Sequence, residues 1–194
     1  MADEHLDEEW MDAVCRGDRK AYQSLVHRHS KAISHYAYRL LGSEADAEDV
    51  TQETFLRLWI NAGKWRPDKA RLTTWLHRIA HNLCVDFQRK QGRIELQGDG
   101  QPLDHPPRET DNDELNDADQ QNPTETTDKQ MLRLRQALDS LPENQRSALT
   151  LCTFSGFSNQ EAAAIMGLSL KALESALARA RRTLRETLTN EAAL

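Results

Sequence analysis

The stretch that most restricts how this chain can fold runs from Leu141 to Leu188. Ser158 and Glu161 have the spacing at which a hydroxyl caps a helix N-terminus while the carboxylate reaches back to the N–H of the cap. A helix therefore starts at Ser158, and Gly167 supplies the turn that ends it after Met166. Ser169 can cap the next helix, where Leu173, Leu177, Ala180, Leu184 and Leu188 recur at helical spacing as one buried stripe. Lys171, Arg179, Arg181, Arg182 and Arg185 fall mostly off that stripe. Upstream, Leu141-Pro142 closes one helix and Glu143 to Phe154 reads as another, broken at Ser155-Gly156. A short helix, a glycine turn and a longer basic helix outline a helix-turn-helix, which suits duplex DNA. The competing reading is a helical hairpin inside a larger α protein, its basic face in solvent.

The rest of the chain also reads as helix. Leu6, Trp10 and Val14 mark a short helix that stops near Gly17. A second, about Arg19 to Leu41, buries Tyr22, Leu25, Val26, Ile33, Tyr36, Ala37 and Leu40, and Gly42 ends it. Ser43 opens a third that runs to about Ala62, and after a loop containing Pro67 a fourth runs from about Arg71 to Gln91. Residues 91–128 differ: they hold four prolines and 11 acidic against 2 basic residues, so this segment is expected to be a disordered tether. Helix resumes at Lys129, with Met131, Leu134, Leu138 and Leu141. The expected fold is all-α, with two small helical domains: a four-helix N-terminal domain (residues 1–90) and a C-terminal helix-turn-helix domain (residues 129–194). An acidic flexible linker (residues 91–128) joins them.

The net charge of −6 argues against a nucleic-acid partner until it is placed along the chain. Residues 1–90 are balanced, the acidity sits in residues 91–128, and residues 129–194 carry 9 basic against 6 acidic residues. Cys15, Cys84 and Cys152 are too few and too dispersed for a disulfide framework, which fits a reducing cytoplasm. No apolar run suggests a signal peptide or membrane helix. No nucleophile elbow, glycine-rich phosphate loop or paired-carboxylate pattern points to an enzyme.

Two faces carry chemistry. On the third helix, Ala47, Val50, Thr54 and Leu58 face inward, while Asp49, Gln52, Glu53, Leu56 and Ile60 lie opposite with Trp59 at the margin. Acids around an apolar strip suit a docking surface for another protein's helices; alternatively Leu56 and Ile60 pack under the N-terminal helix. On the fourth helix, Leu72, Leu76, Ile79, Leu83 and Phe87 form the expected core stripe. Arg71, Trp75, Arg78, Asn82 and Arg89 share another side, preceded in the loop by Lys64, Trp65, Arg66 and Lys69. Cations can track phosphates, an aromatic can stack on a base and an amide can read a base edge, so this stripe suits a single nucleic-acid strand. A solvated basic face is the alternative. His77, His81 and Cys84 have metal-ligand spacing, but the motif lacks a metalloprotease glutamate and a fourth ligand, so ordinary surface or core residues are expected and no cofactor is, with a structural metal or a metal or redox sensor as the alternatives.

DAEDVTQETFLRLW (Asp46–Trp59), TTWLHRIAHNLCVDFQRK (Thr73–Lys90) and LPENQRSALTLCTFSGFSNQEAAAIMGLS (Leu141–Ser169) together resemble bacterial RNA polymerase sigma factors of the extracytoplasmic-function (ECF) group, within the sigma-70 family. The resemblance implies a non-enzymatic subunit that brings core RNA polymerase, through its β′ and β subunits, to promoters and nucleates melting. It implies that Asp49, Gln52, Glu53, Leu56 and Trp59 dock on the β′ coiled coil. Lys64, Arg71, Trp75, Arg78 and Arg89 would hold the non-template strand of the −10 element, with Trp65, Ile79, Ala80 and Asn82 walling a pocket for a flipped base. Arg146, Lys171, Glu174, Ser175, Ala178, Arg179 and Arg182 would contact the −35 element. An anti-sigma factor and a monomeric free state are further implications. Glu174 and Ala176 stand where many relatives carry basic residues, so altered −35 reading is expected there. A conventional helix-turn-helix regulator of duplex DNA is the alternative function.

Overall fold

The acidic start of the chain builds a helix that is held by a buried charge. In the computed structural model, which describes residues 2–96, 136–138 and 140–191, α1 spans Ala2–Cys15. It turns Asp7, Met11 and Val14 inward and leaves Leu6 and Trp10 half-buried, one step round from the face expected. The Asp7 carboxylate is the reason: His29 Nε2 lies 3.1 Å and Arg28 Nε 3.6 Å from its Oδ1. A buried carboxylate persists only when paired in this way.

α2 (Arg19–Leu41) starts where Asp18 accepts from the N–H groups of Lys20 and Ala21, and it ends at Gly42 in the left-handed conformation. Ser43 accepts from the N–H of Asp46 to start α3 (Glu44–Asn61), with Glu44 and Asp46 in the first turn complementing the helix dipole. Each such cap contributes about 1 kcal/mol. A 3-10 turn (Ala62–Lys64) and a loop lead to α4 (Leu72–Leu96), which runs past the expected end at Gln91. Leu25, Ile33, Tyr36, Leu58, Leu76 and Cys84 close the N-terminal core at under 2 % exposure.

α4 is also rotated from the expected stripe. Leu72, Leu76, Ala80 and Cys84 are buried together with His77 and His81, whereas Ile79, Leu83 and Phe87 are half-buried. Small or polar residues take the inner line because a second layer covers it.

That layer is the C-terminal module. Residues 136–138 are helical, and α5 (Glu143–Leu149) widens into a π turn over Thr150–Phe154. In α6 (Asn159–Met166) the capping box forms: Ser158 Oγ accepts from the N–H of Glu161, and Glu161 accepts from the N–H of Ser158 at 3.0 Å. Gly167 turns with φ 66°, and Ser169 Oγ accepts from the N–H of Ala172 to start α7 (Leu170–Glu191). Leu173, Leu177 and Ala180 are buried as expected, joined by Ala176, with Leu184 partly buried. The all-helical expectation holds for the described residues. Of the linker expected over residues 91–128, residues 91–96 instead continue α4, and its remainder and the helix start at Lys129 lie outside the described residues.

Candidate nucleic-acid interface

The outer face of α3 resolves one open choice. Leu56 is 49 % and Ile60 68 % exposed, so neither packs under α1. Asp49 and Gln52 are exposed around them, and Glu53 pairs with Arg57 at 2.7 Å. Trp59 is half-buried, its ring edge-on to Tyr22 with centroids 5.1 Å apart. The arrangement is an apolar strip with an acidic rim.

Arg71 is exposed just before α4, and on that helix Arg78, Asn82 and Arg89 are exposed and Trp75 is half-buried. The loop before it is fastened by its own side chains. Trp65 Nε1 donates to Ala70 O at 3.1 Å, Arg66 donates to Gly63 O and Trp65 O, and Lys64 Nζ donates to Asn61 Oδ1. Two of the expected pocket walls are therefore not open in this conformation. Ala80 is wholly buried because it lies on the inner line of α4, and Trp65 is only 8 % exposed because its indole holds the loop shut. Ile79 is half-buried and Asn82 exposed. A cavity of about 230 Å³ beside this loop is lined by Trp65 together with Asp7 and Glu8 of α1. Sequence reasoning missed both, although Asp7, Met11 and Val14 share helical spacing.

In the C-terminal module, Lys171, Glu174, Ser175, Ala178, Arg179 and Arg182 are all exposed on α7. Arg179 Nε donates to Ser175 O, and Arg182 lies 3.9 Å from Glu186. Ala176 is 4 % exposed, so it is a packing residue and not part of the surface that could read bases. Arg146 is partly buried, donating to Leu141 O and, across the modules, to Leu40 O, both at 3.2 Å.

More contacts cross the same boundary. Phe157 sits edge-on to His77 with centroids 4.7 Å apart, and the Arg39 guanidinium lies 4.7 Å over the Phe154 ring. Arg71 Nη1 is 3.7 Å from Glu161 Oε1. Beneath them His77 Nδ1 donates to Thr73 O at 2.8 Å, and His81 Nδ1 is 3.0 Å from the Tyr36 hydroxyl. Burial lowers both imidazoles to about 4 and pushes the Cys84 thiol up to about 12. These three residues are spent on packing; among the described residues no group of three or more His, Cys, Asp or Glu side chains converges as a metal site.

Residues 25–94 match the Sigma-70 region 2 family and residues 131–184 the Sigma-70 region 4 family. The chain is 30 % identical to the RNA polymerase sigma-H factor of Pseudomonas aeruginosa, over 97 % of this chain and 96 % of that one. It belongs to the ECF sigma factors of the sigma-70 family. The ECF RNA polymerase sigma factor SigE of Mycolicibacterium smegmatis is 37 % identical over 89 % of this sigma factor, which spans 64 % of that relative's length. Among solved structures it resembles the sigma factor RpoE of Bartonella quintana in complex with the anti-sigma factor NepR. The TM-score is 0.66 at 26 % identity, covering 88 % of this chain and 98 % of that one. The protein is thus a transcription-initiation factor with no reaction of its own, and its family implies a polymerase partner. No helix among the described residues is long and apolar enough to cross a membrane.

Proposed function

We propose that this sigma factor divides its work between three surfaces. The outer face of α3, with Asp49, Gln52, Glu53, Leu56 and Trp59, docks on the β′ coiled coil of core RNA polymerase, and the β subunit completes the contact. The stripe of Lys64, Arg71, Trp75, Arg78, Asn82 and Arg89 takes the non-template strand of the −10 element. α7, through Lys171, Glu174, Ser175, Ala178, Arg179 and Arg182, reads the −35 duplex. Melting follows from binding energy: captured bases offset a few kcal/mol of unstacking each.

Two residues assigned to DNA, Arg71 and Arg146, are engaged across the module boundary, so promoter binding has to separate the modules. A cytoplasmic anti-sigma partner that stabilises the closed form, leaving the free protein monomeric, completes the proposal. The exposure of Leu56 and Ile60 amid acids carries it, because large apolar side chains grouped in this way mark a protein contact. Leu56→Ala combined with Ile60→Ala is expected to leave stability within about 0.5 kcal/mol. The pair should weaken core-polymerase binding about tenfold or more, as loss of apolar anchors does. Unchanged polymerase affinity refutes the docking assignment.

A further inference from the structure

The cavity between α1 and the loop before α4 joins Trp65 and Arg71, both already assigned to DNA, to two residues of α1, Asp7 and Glu8, that have no such assignment. Trp65, Pro67 and Leu72 supply apolar walls, and the indole of Trp65 is fixed by its bond to Ala70 O. Arg71 and Thr73 line the cavity, which puts a cation of the outer stripe beside it. Its volume of about 230 Å³ is that of roughly seven water molecules, on the scale of one heteroaromatic ring and not of a chain of nucleotides.

Two carboxylates from α1 complete the lining, and they are not equivalent. Asp7 is buried and held by His29 and Arg28, so its charge is already answered inside the protein. Glu8 is exposed and makes no hydrogen bond or ion pair among the described residues. The Glu8 carboxylate, the one in this lining that is not already paired within the protein, can only accept hydrogen bonds. It therefore favours a base that presents an exocyclic amine and disfavours one that presents a carbonyl oxygen at the same place.

We infer that Glu8 is a specificity-determining residue of promoter opening: its carboxylate accepts from the exocyclic amine of an unpaired cytosine or adenine seated against Trp65, and discriminates against thymine. The inference rests on the strand-capture reading above and adds α1 to it. The backbone phosphate flanking that base lies outside the cavity, towards Arg71, once Arg71 leaves Glu161.

The test uses the holoenzyme, full-length sigma factor on core RNA polymerase, with fork-junction promoter probes. Each position of the single-stranded −10 segment is varied through the four bases, and wild type is compared with Glu8→Gln. Glutamine keeps the size of the side chain and can also donate, so it tolerates a thymine carbonyl. At one position wild type should prefer cytosine or adenine to thymine about tenfold, the usual scale of one base contact. Glu8→Gln should reduce that ratio to about threefold or less while holoenzyme assembly is unchanged. A ratio that survives the substitution overturns the role of Glu8 and leaves strand capture standing. A wild-type holoenzyme that retains no single strand overturns strand capture, and this inference with it.

Discussion

The side chains of Arg71, the residue before α4, and Glu161 of the α6 capping box lie 3.7 Å apart, so a cation assigned to promoter DNA faces a residue of the helix-turn-helix cap. Their side chains are 64 % and 30 % exposed, and pairs this open contribute at most about 1 kcal/mol. The pair therefore sets register between the modules and does little to hold them. Glu161 is fixed chiefly by Ser158, whose hydroxyl bond keeps its carboxyl below the ordinary range, with Arg71 adding to the effect. Glu161→Gln should retain much of the cap and cost under about 1 kcal/mol in urea unfolding. It should also remove one of the partners of Arg71, which raises low-salt binding of single-stranded DNA by the free protein; equal binding would show that this pair does not compete with DNA.

Phe157 does more for closure than that ion pair. Its ring meets His77 edge-on at 4.7 Å, and His77 meets Tyr36 edge-on at 5.4 Å, which links α2, α4 and the turn before α6. Aromatic pairs of this geometry contribute about 0.5–1.5 kcal/mol beyond their buried area. Phe157→Ala should open the modules while each stays folded. Small-angle scattering should then show a larger radius of gyration with unchanged helical circular dichroism. An unchanged radius would place closure in other contacts, such as Arg39 with Phe154.

The same layer makes stability depend on pH. His77 and His81 titrate at about 4 in the fold, against 6.5 for an unburied imidazole, because burial disfavours the charged ring. As pH falls the unfolded chain takes up protons first, so their contribution is complete above about 6.5 and is lost between about 6.5 and 4. Each accounts for about 3 kcal/mol at full extent. Urea midpoints at pH 7.0, 5.5 and 4.5 should fall steeply, and His81→Gln, which still offers Tyr36 an acceptor, should remove about half of the slope. An identical slope in the variant would assign the pH dependence elsewhere.

What the sequence made legible was local. The caps at Ser43, Ser158 and Ser169 and the inward line Ala47, Val50, Thr54 and Leu58 follow from spacing within one or two helical turns, and the structure has them. What it hid depends on partners far along the chain. Asp7 reads as a surface acid until His29 is seen to hold it, and the hydrogen bond from Arg146 to Leu40 O joins residues 106 apart in the chain. Likewise Ala80, His77 and Cys84 look like poor core residues on α4 until a second module covers that side. The exposed apolar strip of α3 was legible only as a choice, because exposure of Leu56 and Ile60 depends on where α1 lies.

α7 separates two positions that lie side by side in its first turns. Glu174 is exposed, whereas Ala176 is 4 % exposed beside Leu173, Leu177 and Ala180. Glu174→Lys should therefore act on DNA: it removes one carboxylate and adds one cation near the phosphates, which raises affinity for duplex promoter DNA and steepens its salt dependence by about one unit. Folding stability should stay within about 0.5 kcal/mol. Ala176→Arg should act on the fold, because a guanidinium forced into that interior either stays unpaired or displaces α7, at about 2 kcal/mol or more. Fluorescence anisotropy across a salt series and urea denaturation, run on both variants, give opposite patterns if the assignment is right. A stable Ala176→Arg protein with increased DNA affinity would put residue 176 back on the DNA-reading face.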